Sequence, residues 1–226
     1  MLQDEVFAQG EGDNWFKRNQ KALEDSARFD WPLRLIERQE PGVKQSFVKI
    51  VELGCSSGWR LSRLKSLAPQ AELSGCDASA QAIAHGRQIY PGLELRQARL
   101  DQLPWDKPFD LVIVSFVLHW IDRTTLSRSI AEIDRLVKDG GYLLLSDFEP
   151  AAPSRRRYHH RSELELYTFK QDYAKVFEAL GLYQTADRVS FDHSRPESTG
   201  SIPPGSRAFC ALLKKSWRSY YEEERE

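Results

Sequence analysis

The residues Glu52-Leu53-Gly54-Cys55-Ser56-Ser57-Gly58 combine types and spacing that suit a ligand-binding loop. Gly54 permits a tight turn, and Gly58 lets the chain pass close to a ligand, because neither carries a Cβ. A helix follows, and the unpaired N–H groups at its amino terminus can hold a carboxylate or a phosphate. The loop is neither G-x-G-x-x-G nor the Gly-Lys-Ser/Thr of a P-loop. It does spell G-x-S-x-G, the nucleophile elbow of serine hydrolases, with Asp147 and His193 following in hydrolase order. Against a hydrolase, the loop follows the first strand, with no earlier strand to supply an oxyanion loop. Glu52 would also set a charge just before the nucleophile.

Other reactive side chains fall at strand ends. Asp77 closes the second strand, where a carboxylate can accept hydrogen bonds from two ribose hydroxyls. His119 follows the fourth strand and Asp147 ends the fifth, so either is a candidate base for a hydroxyl or amine nucleophile. His119 is equally readable as a structural histidine beside Trp120. Arg155-Arg156-Arg157-Tyr158-His159-His160-Arg161 is the most basic run, and such runs usually form solvated loops. This one follows the fifth strand, on the side where a substrate would enter, and arginine suits a phosphate or carboxylate. On the opening segment, Trp15 and Arg18 are three residues apart and can share a helix face with the ligand site.

The elements that must position these groups alternate strand and helix. Leu2 to Gln39 reads as helical, and Pro41-Gly42 breaks the chain. Strands are expected at Ser46–Leu53, Glu72–Cys76, Leu93–Ala98, Phe109–Phe116 and Tyr142–Phe148, and helices at Trp59–Ala68, Ala80–Ile89 and Thr125–Val137. Gly140 is expected to cap the last of these helices. This rhythm implies a parallel sheet with right-handed crossovers. A basic loop (Glu149–Arg161), a helix (Thr168–Leu180) and two strands (Gln184–Asp192, Arg207–Lys215) complete the pattern, with a long hairpin tip at His193–Ser206 and an acidic tail, Glu222-Glu223-Glu224. The expected fold is an α/β three-layer sandwich with a mostly parallel seven-stranded sheet ending in an antiparallel hairpin.

Bulk properties bound the function. The 226 residues suffice for one domain, and a net charge of −1 gives no general attraction to nucleic acid or anionic membrane. No signal peptide or membrane-spanning run is expected. Cys55, Cys76 and Cys210 are too widely spaced for a metal site, and their use suits a reducing, cytoplasmic setting.

Glu52 to Gly58 resembles the first motif of class I S-adenosylmethionine-dependent methyltransferases, an acidic residue followed by G-x-G-x-G, with Ser56 in place of the middle glycine. Asp77, Ala98–Trp105 (ARLDQLPW), Phe109–Val112 through Leu118-His119-Trp120, and Glu132–Gly141 resemble later motifs of that family in the same order. The resemblance spans Val48 to Asp147 and implies a Rossmann-like fold with residues 1–40 as a helical lid and 41–226 as the methyltransferase domain. It implies a cofactor, S-adenosylmethionine, bound by Trp15, Arg18, Glu52, Gly54, Cys55, Ser56, Gly58, Asp77, Ala78, Arg99, Leu100 and Ser115. Arg99 stands where the family often has an acidic residue, so the adenine amino group is expected to meet the backbone near Leu100, or Asp101. The run from His159-His160 through Tyr167, Lys170 and Tyr173 resembles, more loosely, methyltransferases encoded among sugar and surface-polysaccharide genes. This implies a small, sugar-like or phosphorylated and therefore anionic acceptor met by Tyr158, His159, His160 and Lys170. The rival expectations are a non-catalytic S-adenosylmethionine-binding scaffold and a hydrolase using Ser56.

Overall fold

The computed structural model describes residues 2–221, so the acidic tail at Glu222-Glu223-Glu224 lies outside them. The amino-terminal fifth of the chain is helical: α1 (Gln3–Val6), a π-helical turn (Phe7–Glu11), α2 (Gly12–Leu23), α3 (Trp31–Glu37) and α4 (Pro41–Gln45). Pro41 therefore opens a helix, at the first-turn position where a missing N–H costs nothing. From there β1 (Lys49–Leu53), α5 (Trp59–Leu64), β2 (Glu72–Asp77), α6 (Ala80–Ile89), β3 (Glu94–Gln97) and β4 (Phe109–Ser115) alternate as expected. After β4 come a 3-10 turn (Leu118–Trp120), α7 (Leu126–Leu136) and β5 (Val137–Phe148). Helix α7 stops at Leu136 because Val137 already pairs with Phe109. The left-handed Gly140 (φ 78°) thus bends the start of β5 and does not cap the helix.

The basic segment is not only loop. Ser154–Arg157 (β6) pairs antiparallel with Tyr167–Lys170 (β7) as a separate two-stranded ribbon. The helix expected from Thr168 accordingly starts only at Tyr173. Tyr167-Thr168-Phe169 are β-favouring types, and the Asp172 carboxylate accepts from the Ala174 amide and so starts α8 (Tyr173–Glu178). The chain ends with β8 (Tyr183–Asp192), β9 (Arg207–Lys215) and α9 (Trp217–Tyr220).

The main sheet has the order β3-β2-β1-β4-β5-β9-β8, parallel throughout except for β9. Strand alternation sends Val51, Val112, Val114 and Leu143 to one face, under α7 and α8, and Ile50, Leu111, Ile113 and Leu144 to the other, under α3, α5 and α6. Burial on both faces explains why β4 is nearly all apolar. Chain order reverses between β1 and β4, which leaves a crevice beyond the carboxyl ends of these strands. Among the described residues no helix is long and apolar enough to cross a membrane.

Candidate active site

A cavity of about 670 Å³ lies along this carboxyl edge, roofed by the amino-terminal helices. Its first half sits over β3, β2 and β1. There Gly54 (φ 77°) turns the chain so tightly that an added Cβ would fall 2.3 Å from a Val117 methyl carbon. Ser56, also left-handed at φ 52°, donates its amide to Asp77 Oδ2 at 2.8 Å. Asp77 Oδ1 accepts from Ser79 at 2.8 Å, so this carboxylate ties the loop to the start of α6. Burial pushes the Asp77 carboxyl above its usual range, while these amides act in the opposite direction.

Glu52, 1% exposed, forms an ion pair with Arg60, which also makes a bidentate contact with Asp30 at 3.0–3.1 Å and reaches Ser115 Oγ at 3.3 Å. One guanidinium shared by two carboxylates leaves this cluster with one excess negative charge when Glu52 is ionised. Burial and the neighbouring Asp30 and Asp77 charges raise the Glu52 carboxyl to about 7 despite Arg60. Glu52 Oε2 and Ser56 Oγ are buried without a hydrogen-bond partner. Orphaned polar atoms of this kind are uncommon in a folded protein, and both of these residues line the cavity, where a bound molecule can meet them.

The second half of the cavity lies over β4, β5 and β8. Phe116 follows β4 at φ 56°, a conformation that costs a bulky residue about 1–3 kcal/mol. It is held by rings on several sides: Phe148 at 5.4 Å, His193 at 5.1 Å, His119 at 6.3 Å and Phe191 at 6.5 Å. His119 is 3% exposed, and its Nδ1 lies 2.8 Å from Asp147 Oδ1. A buried carboxylate can only accept, so Nδ1 carries the proton and Nε2 is the basic nitrogen. Asp147 also accepts from the His119 and Phe148 amides and is fully buried behind them. The two residues read as alternative bases in the sequence are therefore one oriented pair.

The structure brings together at the cavity most of the residues the sequence singles out: Trp15, Glu52, Gly54, Ser56, Asp77, Ala78, Arg99, Leu100, Ser115 and His119. It leaves others away from it. Cys55 is buried with its sulfur against Gly75, and Gly58 faces Leu93 and Leu95. On α2 Gly12, Asn19, Ala22 and Leu23 share the cavity with Trp15, whereas Arg18 turns to Glu11 and the Tyr158 hydroxyl, each at 2.6 Å. Asp101 is held by Arg99 at 2.8–3.0 Å and does not line the cavity.

None of the four proposed substrate residues lines the cavity. Tyr158 is buried on Glu11, which with the burial pushes its hydroxyl well above the usual range. His159 and His160 are exposed, with ring centroids 3.9 Å apart and tilted, and Lys170 sits outside, 3.8 Å from the centre of the Phe148 ring. Missing from the sequence reading were Arg60, Asp30, Phe116, Phe148, Phe191 and the place of His193 in the cavity wall. Their only sequence signal is position just beyond a strand end or at a helix start. Ser56 as a nucleophile has no support here, since no imidazole bonds its hydroxyl.

Residues 50–141 match the methyltransferase domain family. The chain is 24% identical over 125 residues to a malonyl-[acyl-carrier protein] O-methyltransferase of Halalkalibacterium halodurans, covering 52% of this chain and 45% of that protein. It is 34% identical over 97 residues to a trans-aconitate 2-methyltransferase of Azoarcus sp., covering 42% and 37%. The matches thus span less than half the length of these curated relatives. Its fold is similar to that of an amino pentose methyltransferase from Micromonospora echinaspora solved with S-adenosylmethionine bound (TM-score 0.61, 13% identity, 88% and 96% of the two chains). The motif order, the strand order and the family match agree: residues 50–141 are similar to the methyltransferase domain family, on a fold like that of class I S-adenosylmethionine-dependent methyltransferases.

Proposed function

We propose that the protein transfers a methyl group from S-adenosylmethionine to a hydroxyl or amine of a small molecule, with His119 taking the proton. The observation that carries this reading is His119, oriented by the buried Asp147, in the same cavity as the Glu52–Gly54–Ser56–Asp77 loop.

The loop half of the cavity fits the cofactor. Asp77 can accept from ribose hydroxyls, and the orphaned Glu52 and Ser56 oxygens can meet the amino-acid end. The excess negative charge of the Asp30–Glu52–Arg60 cluster complements a cationic amino group. Ala98, Arg99 and Leu100 border the place for the base. The bound cofactor supplies an activated methyl on a sulfonium. What this chain must do is align a nucleophile, exclude water and accept a proton. The first two tasks fall to the aromatic half of the cavity and the helical roof. The third falls to His119 Nε2, since Asp147 fixes the tautomer with the proton on Nδ1.

The test is calorimetric titration with S-adenosylmethionine and S-adenosylhomocysteine, followed by methyl transfer from labelled cofactor into a cell extract. Absence of binding by the wild type overturns the proposal. Binding without transfer, unaffected by His119→Ala, would make the protein a cofactor-binding scaffold. Labelling of Ser56 by a fluorophosphonate would restore the hydrolase reading.

A further inference from the structure

Resting on that reading, we propose that the acceptor is a flat, uncharged aromatic alcohol, a phenol or naphthol, held against the wall of rings formed by Phe116, Phe148, Phe191 and Trp31, with its hydroxyl at His119 and its far edge at His193. The acceptor half of the cavity is walled by rings from four separate elements. Phe116 follows β4, Phe148 ends β5, Phe191 lies in β8, and Trp31 opens α3. Trp31 stacks 6.0 Å from Phe191, and its Nε1 donates to the Pro196 carbonyl at 2.6 Å. That bond fixes the start of the β8–β9 connection as a wall. His193 packs 5.0 Å from Phe148 and 5.1 Å from Phe116. A planar apolar ligand gains most from such walls, through burial and through offset or edge-on ring contacts.

The charge pattern selects among nucleophiles. A carboxylate acceptor has no proton to lose and would be placed beside the buried Asp147, so a His–Asp pair would be useless to it and repulsive. A phenol, at about 10, gives up its proton far more readily than an aliphatic hydroxyl, which lies near water at about 15.7, so a single histidine base serves it better. Burial, with Lys170 and His119 close by, also holds the His193 imidazole below its usual range, so it meets the ligand as a neutral donor or acceptor.

The experiment loads the wild-type protein with S-adenosylhomocysteine and titrates it calorimetrically with naphthol, naphthoate and methyl glucoside, then measures methyl transfer to each from labelled S-adenosylmethionine. Naphthol should bind the loaded protein and be methylated on oxygen, with the other two at least tenfold poorer. Phe191→Leu and Phe148→Leu should each weaken naphthol binding severalfold while leaving S-adenosylhomocysteine affinity unchanged, which also shows that the variants are folded. The inference is overturned if the loaded protein ignores naphthol, or if naphthoate or the glucoside is the better substrate. Failure to bind S-adenosylhomocysteine at all would remove the methyltransferase reading and this inference with it.

Discussion

Asp147 lies in β5 and His119 in the turn after β4, and they meet only because β4 and β5 are neighbours that end at the same edge. Asp147→Asn keeps the packing but can donate as well as accept, so it frees His119 to turn or to change tautomer. Both Asp147→Asn and His119→Ala should lower kcat about 10²–10⁴-fold in a methyl-transfer assay, with the S-adenosylhomocysteine Kd unchanged. Glu52 makes a separate prediction through pH. Its folded-state value near 7 lies above its ordinary 4.5, so between these values the folded protein holds a proton that the unfolded chain has released. Its contribution to stability is therefore largest below 4.5 and declines as the pH rises to about 7. Binding an ammonium group favours the ionised form, so cofactor affinity should fall by up to tenfold per pH unit below about 7. Calorimetry across that range should show the slope for wild type and a flat response for Glu52→Gln.

At the level of elements, α6 is placed by close backbone approach. A Cβ on Gly86 would fall 2.2 Å from the Ser57 carbonyl oxygen, and neither backbone can yield. Gly86→Ala should therefore push α6 off the cofactor loop, destabilising the fold by about 1–3 kcal/mol in a denaturant titration and weakening cofactor binding. Most of the elements were legible in the sequence because their cause is local. Ala80–Ile89 has its Ser79 cap and Arg207–Lys215 its apolar run, and both have the expected bounds. The β6–β7 ribbon was illegible: Ser154–Arg157 is exposed throughout and has no alternation to read. The same division holds at the site. The cofactor loop is contiguous and so visible in the sequence. The aromatic acceptor wall gathers Trp31, Phe116, Phe148, Phe191 and His193 from distant segments, and only the sheet order brings them together.

Over the whole molecule, the roof of the cavity is tied down by polar bonds more than by a continuous core. Gln3 bridges the Trp120 and Tyr167 backbones, Asp4 accepts from Asp122 and Thr125, and Asp13 accepts from Ser79 and Gln81 at the start of α6. Glu11 gathers Arg18 and Tyr158, with Arg161 at 3.8 Å, which joins the roof to the β6–β7 ribbon. Bonds of this kind contribute only about 0.5–1.5 kcal/mol each, so we propose that the roof opens without unfolding the sheet. A ligand beneath it would contact roof and sheet together and couple their stabilities. With S-adenosylhomocysteine at a hundredfold excess over Kd, the gain is about 2.7 kcal/mol, or a rise in Tm of roughly 5–10 °C for a chain of this size. The roof should respond in a second, local way. Limited proteolysis between Leu2 and Leu23 should slow when ligand is added, and Glu11→Ala should speed it in the free protein with a smaller change in Tm. If ligand raised Tm while leaving cleavage of this segment unchanged, the amino-terminal helices would be a passive cover and not a lid that closes on the cofactor.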